Sequence, residues 1–576
     1  MTLLRCVALA AKGILLCSCI VIFTRVASSQ VPSPVTSPTP IPIATPPPSN
    51  PNEPPPVAPN FEAPPRPLPS PDRVGVDLSN QMTLTMDQAI DMALRNNNNI
   101  DVSRNNFQIN EYNFRAARGV YDPLLSSQSF YESVTTPTAS AIGGAVNGAV
   151  TQRRFFSTGG VSGFTPWGGG QYTADLNGAR TTTSNTNSFL NPQFPTNFTA
   201  TYAQPLFRNF SIDQNRRQIM IAQKNVQLTD SQFRQEAITV VNQVEQAYWN
   251  LVFSLRNLQV QIDALKQARA QLESNQRQVE KGVLAPIDIV QAQAQITTFE
   301  QNVYTAQEDV TRQENTLKTL LLPDRTSAEW SRPITPVSPV ALDAPHVGLE
   351  VATAEALKNR PELEQLDISA NINEIDQRFY RNQTKPQIDL TGTYTTQGLS
   401  GTPTPIGIQR GVPDIFNGGI GRSFGNLLSQ NFPTYRVGVN ISFPWGNRVA
   451  KANLGRTVVE GKRIENQRAA EEQTIEAEVR NAIQALRSAE ARLQSAVAAR
   501  QAAEELYASE QRQFRAGTTT LYLVLQRQTE LLAARGRELQ SQTDLNRAIS
   551  EFHRATGTTL SVNNITVSTG AQVEKK

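Results

Sequence analysis

Histidine and cysteine are the side chains that most readily support nucleophilic or metal chemistry, and this 576-residue chain has few of either. Its two histidines, His346 and His553, lie far apart in the sequence. All three cysteines, Cys6, Cys17 and Cys19, lie close to the N-terminus. No Ser-His-Asp order, phosphate-binding loop or spaced set of metal ligands accompanies them. The sequence therefore predicts a protein that is not an enzyme and that holds no metal and no cofactor.

Composition limits the partners that the chain can have. The balance of 53 basic and 50 acidic residues predicts no binding to nucleic acid, because a polyanion is bound by an excess of basic residues. Beyond the N-terminus there is no run of about 20 apolar residues. A bundle of membrane-spanning helices is therefore excluded.

The N-terminus has the features of a secretory signal peptide, which we predict over residues 1–29. Arg5 and Lys12 are followed by an apolar run at 13–23, and small residues come after it. That run is shorter than the ~20 residues that cross a bilayer. Cleavage would remove every cysteine, which excludes disulfides and thiol chemistry. A lipid anchor on one of the two later cysteines is the alternative.

A proline-rich segment follows, and we predict a disordered spacer over residues 30–78. Roughly half of the chain's 37 prolines fall within it. Such a stretch lacks backbone donors and has little apolar surface to bury. It predicts a tether, with specific partner binding as the alternative.

The rest of the chain contains an internal duplication. Ala-Leu-Arg-Asn at 93–96 recurs as Ala-Leu-Lys-Asn at 356–359, and the match continues with residues 98–123 against 361–386. One copy alone supplies too few strands and too long a helix to be stable, so function should come from an assembly of copies. The predicted segments are repeat 1 at 79–323, a proline-rich linker at 324–345, repeat 2 at 346–560 and a polar tail at 561–576.

Each copy predicts two strands with period-two alternation. In residues 388–395 one face is Ile, Leu, Gly and Tyr, and the other is Asp and Thr; residues 435–443 alternate in the same way. A barrel wall between lipid and water has this pattern, and so does a half-buried soluble sheet. The signal peptide and the polar loops favour the barrel. Residues 136–197 predict an enlarged outer loop, with space for a short hairpin at 171–183.

A very long helix follows the second strand of each copy. No proline or glycine occurs from 213 to 281, and apolar residues recur there at 4-3 spacing, as they do over 475–514. Further apolar residues off this seam predict a second neighbouring helix, and hence a ring. The long helix, at ~1.5 Å per residue, has about the length of the predicted helices 85–118 and 286–321 placed end to end. This equality is typical of a cylindrical wall.

The turn after each long helix is also recognisable. Gly282 can take the left-handed conformation that ends a helix, and Pro286 suits the first turn of the next one. Asp288 lies near the start of that helix, where the helix dipole favours an anion. In the second copy Gly517 ends the helix, and threonines 518–520 offer capping hydroxyl groups.

Taken in order, these features resemble the TolC family of outer-membrane efflux and secretion channels, from about Leu84 to Thr559. The resemblance rests on the duplicated Ala-Leu-x-Asn segments, on Gln-Pro-Leu-Phe at 204–207 and on the two glycine-centred turns with the apolar residues that follow them. It implies an α+β membrane protein and a homotrimer. Each subunit would give four strands to a 12-stranded barrel and four helical columns to a tunnel across the periplasm.

The resemblance also implies a function. The chain would be a passive duct in the outer membrane, part of a tripartite efflux or type I secretion system that exports small molecules or proteins. Its partners would be a periplasmic adaptor, an inner-membrane transporter of the ABC or RND type and outer-membrane lipid. The alternative is a periplasmic coiled-coil adaptor or scaffold, although an adaptor carries one helical hairpin between soluble β-domains and this chain has two.

Site residues carried over from the family lie at the periplasmic tip, and several differ from its pattern. Asp288 takes the place of an acidic residue that helps to hold the tip closed. The other matching positions are Phe514 for a tyrosine, Thr519 for an arginine, and Leu523 and Gln526 for an acidic pair. We therefore expect no acidic ring here, and Arg515 or Arg512 is a candidate partner for Asp288.

Asp288 has a plainer interpretation as a helix-start residue. The residues predicted to dock the adaptor are small and lie at the two turns: Gly282, Val283, Leu284, Gly517 and Thr518.

Overall fold

A computed structural model of the chain describes residues 67, 69–139, 143–145, 147–340, 343–568 and 572–575. The predicted signal peptide, the three cysteines and most of the predicted spacer lie outside these residues.

Both copies place strands between two short helices and a long helix with a shorter one after it, and they differ in what lies between the first and the last of those strands. The first comprises β1 Met82–Leu84, α1 Met86–Asn96, α2 Asn98–Arg118, β2 Leu124–Pro137, β3 Ala149–Phe164, β4 Gln171–Thr183, β5 Leu190–Pro205, α3 Gln214–Glu280 and α4 Pro286–Leu321. After β6 Ile334–Pro336, the second comprises α5 Leu349–Asn359, α6 Pro361–Gln383, β7 Gln387–Pro403, α7 Pro405–Gln409, α8 Ile420–Leu428, β8 Pro433–Ser442, α9 Arg448–Arg515 and α10 Leu521–Thr556. The chain ends with α11 Thr559–Val562, β9 Ile565–Ser568 and β10 Gln572–Lys575.

Four helical columns form the elongated part of the molecule. The long helices α3 and α9 have 67 and 68 residues, so each spans about 100 Å at ~1.5 Å per residue. Helices α2 and α4 both pack on α3, and α6 and α10 both pack between α3 and α9. The predicted match of one long helix with two shorter ones is confirmed in both copies.

The first column is interrupted where we predicted one helix over 85–118. Asn97 is extended (φ −69°, ψ 125°), and its side chain accepts from the Asn99 amide at 2.8 Å, so α1 ends and α2 begins there. The Asn97 amide group also donates to the Leu320 carbonyl at 3.0 Å. The second copy breaks at Arg360, directly before Pro361. A proline in the sequence marks the second break, because the residue before a proline is disfavoured in a helix. The first break has no such mark, because it is formed by an asparagine cap and a hydrogen bond to a carbonyl that is distant in sequence.

The core of the first copy lies midway along α3, which is buried on more than one side. Its members include Phe233, Val241, Tyr248 and Leu251. The Tyr248 hydroxyl donates to the Leu84 carbonyl and accepts from the Ser338 amide, each at 3.0 Å. These bonds join the long helix to the parallel pair β1–β6 and to the linker between the copies. The second neighbouring helix predicted for α3 is also present, because α6 and α10 pack on it as well as α2 and α4.

The last part of the predicted spacer makes specific contacts with α4. Ser70 accepts through its carbonyl from Gln307 at 2.6 Å. Arg73 forms a salt bridge of 2.5 Å with buried Glu314, whose other oxygen lies 2.6 Å from the buried Lys318 ammonium group. Residues 69–78 are thus part of the fold and not spacer, because their polar groups meet partners on a helix that is distant in sequence.

The sheet has six strands, in the order β2-β3-β4-β5-β7-β8, and all neighbours are antiparallel. We expected four. The difference is the hairpin β3–β4, which occupies most of the predicted outer loop and extends beyond the short hairpin foreseen at 171–183. Its strands are rich in Gly, Ser and Thr, so local propensity does not reveal them, and their pairing depends on β2 and β5.

The predicted polar tail also has structure. β9 pairs with β10, Ile565 is buried against the core of the first copy, and the Asn563 amide group donates to Glu245 at 3.0 Å. The prediction of a loosely ordered tail is wrong for these residues, because one apolar side chain and one side-chain hydrogen bond attach it to α3.

Candidate functional site

At one level of the sheet, one face is apolar and the other is polar across all six strands. A row of paired residues on one face crosses all six strands: Leu125, Val161, Ala174, Ala200, Tyr394 and Tyr435. One residue away, a second row on the opposite face consists of Ser126, Gly160, Asp175, Thr199, Thr395 and Thr434. The pattern is that of a wall between lipid and water.

Large side chains of the apolar row are exposed in the single chain, and the polar row carries hydrogen bonds between strands. Leu125 and Tyr435, at the two edge strands, are 79% and 73% exposed in the single chain. On the polar face the hydroxyl groups of Thr199 and Thr395 lie 3.3 Å apart, and Thr158 donates to Asn177. Among the described residues, no helix is both long enough and apolar enough to cross a bilayer.

The two turns at the opposite end have the same geometry. Gly282 and Gly517 have φ values of +72° and +74°, which a residue with a Cβ adopts at a cost. The Val283 amide donates to the Gln278 carbonyl at 2.9 Å, and the Thr518 amide donates to the Gln513 carbonyl at 3.0 Å. Both long helices therefore end in the glycine motif that was predicted.

Asp288 has a local role in the single chain. Its carboxylate accepts from the Ala285 amide at 3.2 Å and so caps the first turn of α4. In the part of the chain that the structure describes, neither Asp288 nor Arg512 nor Arg515 forms a salt bridge. The helix-start interpretation thus accounts for the contacts of Asp288 within one subunit, and its pairing with an arginine stays a prediction about neighbouring subunits.

The positions that differ from the family pattern are surrounded by other carboxylates. The Thr519 hydroxyl donates to Glu510 across the turn. Gln526 donates to Glu530 at 3.1 Å, and Arg527 pairs with the same carboxylate at 2.7 Å, which lowers the pKa of Glu530. We predicted neither Glu510 nor Glu530 as a site residue. Glu510 was assigned to the 4-3 seam of α9, and the spacing of Glu530 resembles that of an ordinary solvated residue.

Leu523 and Phe514 contribute no charge to the tip. Leu523 is exposed and Phe514 is half-buried. Glu530 lies one helical turn after Gln526, and Glu510 lies on the other helix of the turn, where it accepts from Thr519.

Comparison with known proteins now gives a family. The model of the family described as "Outer membrane efflux protein" matches residues 171–321 and 352–558, which is more than half of the chain and falls in both copies. The chain belongs to the outer membrane efflux protein family. It is an efflux channel of the outer membrane whose helical part extends into the periplasm. The adaptor or scaffold alternative is thereby set aside.

Solved structures show the same fold at low identity. The outer-membrane channel OprN is 16% identical, with a TM-score of 0.59 over 84% of this chain and 94% of its own. The CmeC outer membrane channel of Campylobacter jejuni is 15% identical, with a TM-score of 0.58 over 82% and 86%. The open state of the MtrE channel of Neisseria gonorrhoeae is 15% identical, with a TM-score of 0.55 over 82% and 89%. No curated protein gives a significant sequence match.

The predicted docking residues of the efflux channel lie at the surface of the tips. Val283 is 69% exposed, Leu284 is half-buried, and Gly282, Gly517 and Thr518 are exposed. A Cβ added at either glycine would meet no atom within 4 Å. The tips thus offer small side chains with free space around them, as docking of a partner would need.

Ion pairs between helices just above the tips were missed by the sequence analysis. Arg269 of α3 lies 2.6 Å from Glu300 of α4. In the second copy Arg500 of α9 pairs with Glu504 at 2.7 Å and with Glu538 of α10. The signal was available, because both arginines occupy positions of the apolar seam, where a charge requires a partner.

The two histidines of the channel remain far apart. His346 is exposed, with Nε2 3.9 Å from a Glu490 oxygen. Burial lowers the pKa of His553, which lies in the last turn of α10. Across the described ranges, no three His, Cys, Asp or Glu side chains are placed to hold a metal ion.

Proposed function

We propose that this efflux channel works as a homotrimer and supplies the outer-membrane duct of a tripartite export system. The observation that carries the proposal is the unfinished sheet. Among the strands that the structure describes, β2 and β8 are the two edges of the sheet, and each pairs with a neighbour on one side only. An open sheet edge does not occur within a bilayer, because its unpaired N–H and C=O groups would meet hydrocarbon. Further copies of the chain would pair β8 of one subunit with β2 of the next.

The same closure would complete the helical part. The four columns of one chain form an arc in which α9 and the pair α2–α4 are the outermost members. Joining copies would cover these outer columns and convert the arcs into a tunnel. A passive duct results, lined at the membrane by threonine and other polar side chains, with transport energy supplied elsewhere.

We propose further that a periplasmic adaptor docks on the two tips, together with an inner-membrane transporter of the ABC or RND type. The transporter would choose the cargo, whether small molecule or protein. Opening would be a small shift of the inner helices past their neighbours. The glycine turns suit this role, because each joins two helices through a few exposed residues.

Electron microscopy of the detergent-extracted channel, combined with tip substitutions, tests the proposal. We expect a three-fold tube with a helical section of about 100 Å. Val283→Trp and Thr518→Trp should abolish export and leave the tube intact, because bulk at the tips blocks docking only. Val74→Trp, at an exposed site on the N-terminal segment, is the matched control. A monomer or dimer would overturn the trimer, and normal export by both tip variants would overturn docking at the tips.

A further inference from the structure

The hairpin β3–β4 spans the full height of the sheet. β3 pairs with β2 along its length, from Leu124↔Ser162 to Pro137↔Ala149. β4 pairs with β5 from Gln171↔Ala203 to Thr181↔Gln193. A loop that projected above the membrane would pair with its neighbours at their outer ends only. These two strands instead separate β2 from β5 completely.

The turn of this hairpin, residues 165–170, is held at the helical end of the sheet. Gln204 donates to the Gly168 carbonyl at 2.7 Å. Gly169 has φ +68°, and a Cβ there would lie 2.5 Å from the Asn209 carbonyl oxygen, so only glycine fits. Asn209 lies between the end of β5 at Pro205 and the Asp213 cap of α3, so the turn is attached where the sheet meets the helices.

Apolar and polar residues of the hairpin also alternate in register with those of the neighbouring strands. Val161 and Ala174 belong to the apolar row, whereas Gly160 and Asp175 belong to the polar row. A hairpin that folded into the lumen as a plug would have water on both faces and would need no apolar row. The two inserted strands therefore meet the same two environments as the strands beside them.

We infer that all six strands are wall strands, so that a trimer closes a barrel of 18 strands, where the family resemblance implies 12. The inference rests on the proposed homotrimer. It makes the membrane pore of this channel wider than a 12-stranded one by about one half, because barrel diameter grows roughly linearly with strand number.

The helical tunnel supplies an independent check on this number. Strands ~4.8 Å apart and tilted by ~40° each occupy about 6 Å of circumference. A barrel of 18 strands then measures about 110 Å around, and one of 12 strands about 75 Å. Twelve helical columns spaced ~9 Å apart also measure about 110 Å. The wider barrel meets the tunnel without a taper.

This match locates the size limit on cargo. With a membrane pore as wide as the tunnel, the narrowest point is the periplasmic tip. The polar row lines the pore with three threonines, a serine and a glycine, and Asp175 of the hairpin adds one carboxylate per subunit. The hairpin therefore sets the width of the membrane pore, whereas the periplasmic tip sets the size limit on the cargo that the transporter delivers.

Single cysteines test the inference, since every natural cysteine lies in the predicted signal peptide. In reconstituted trimers, Leu176→Cys should react with a lipid-soluble maleimide and resist a charged, impermeant thiol reagent, and Asp175→Cys should do the reverse. Phe198→Cys and Thr199→Cys in β5 are the matched controls, because Leu176 pairs with Phe198 and Asp175 pairs with Thr199. Within the hairpin pair and within the β5 pair, we expect the rates of labelling by the charged reagent to differ at least tenfold between the two cysteines.

Reaction of both hairpin cysteines with the charged reagent, while the β5 pair keeps its contrast, would overturn the inference. If a variant fails to assemble, Phe155→Cys and Arg154→Cys provide the same test on β3. Imaging of the same trimers then counts the strands. A three-fold barrel with 12 strands refutes the inference and leaves the proposed function intact, whereas the lack of any three-fold particle refutes the proposed function itself.

Discussion

The turn after the long helix has one geometry in both copies, whereas the sheet at the other end differs between them. Gly282 and Gly517 take nearly the same φ value and close the same hydrogen bonds. The first copy, however, supplies β2 to β5, and the second supplies only β7 and β8 with the short helices α7 and α8 between them. At a tip the chain must reverse direction between two helices within a few residues, so the turn tolerates little change in sequence. A sheet accepts an added hairpin whenever the new strands alternate in phase with their neighbours.

The upper ends of the short helices differ in a similar way. Counted from the tip glycines, Lys318 and His553 occupy matching places in the last turns of α4 and α10. Lys318 is fully buried and paired with Glu314, to which Arg73 of the N-terminal segment also binds. At the place that matches Glu314, the second copy has Ile549. The first copy thus depends on a buried ion network at a position where the second depends on apolar packing.

Replacing the acidic residue Glu314 of that network should have the largest effect on the stability of the channel. Glu314→Gln leaves the buried Lys318 and Arg73 without their counter-charge, so we expect a loss of about 3–5 kcal/mol in the free energy of unfolding. Thermal unfolding of the purified channel in detergent, followed by circular dichroism, measures it. Glu308→Gln on the exposed side of α4 should change stability by less than ~0.5 kcal/mol. Equal shifts for the two variants would contradict a structural role for the network.

Substitution of the tip glycines should have the second-largest effect on stability, and the two substitutions should cost equal free energies. Gly282→Ala and Gly517→Ala each force a side chain into the left-handed region, at a cost of about 1–2 kcal/mol. The same change at Gly536, in the middle of α10 and with open space around it, should stabilise by ~0.5–1 kcal/mol. Hydrogen exchange at the amides of Val283 and Thr518 reports the local effect. Unequal losses at the two tips would show that the turns are less alike than their backbones.

The smallest effect concerns Asp288, whose place in the second copy is taken by Leu523. If Asp288 meets an arginine of a neighbouring subunit, Asp288→Lys should cost the closed state about 1 kcal/mol per contact and raise closed-state conductance ~5-fold. Asp288→Asn keeps an oxygen for the Ala285 amide and should give a smaller rise. Single-channel recording measures both, with Asp263→Lys on α3 as the control. Unchanged conductance in the lysine variant would leave Asp288 as a helix cap alone.

The sequence by itself determined the features that repeat locally. The 4-3 spacing of α3 and α9, the glycines at 282 and 517 and the alternation in β7 and β8 are each properties of a short segment, because backbone geometry dictates which side chains share a face. The duplication then supplied the order of elements, and the resemblance that followed from it led to the family.

Tertiary structure alone decided the remaining features, because they depend on partners that are distant in sequence. The strands β3 and β4 have weak local propensity and exist through pairing with β2 and β5. The break at Asn97 is completed by the Leu320 carbonyl, more than 200 residues away. Residues 69–78 appear disordered by composition and are held by Gln307 and Glu314. In each case composition reports the cost of ordering a segment, and only the folded contacts show what offsets that cost.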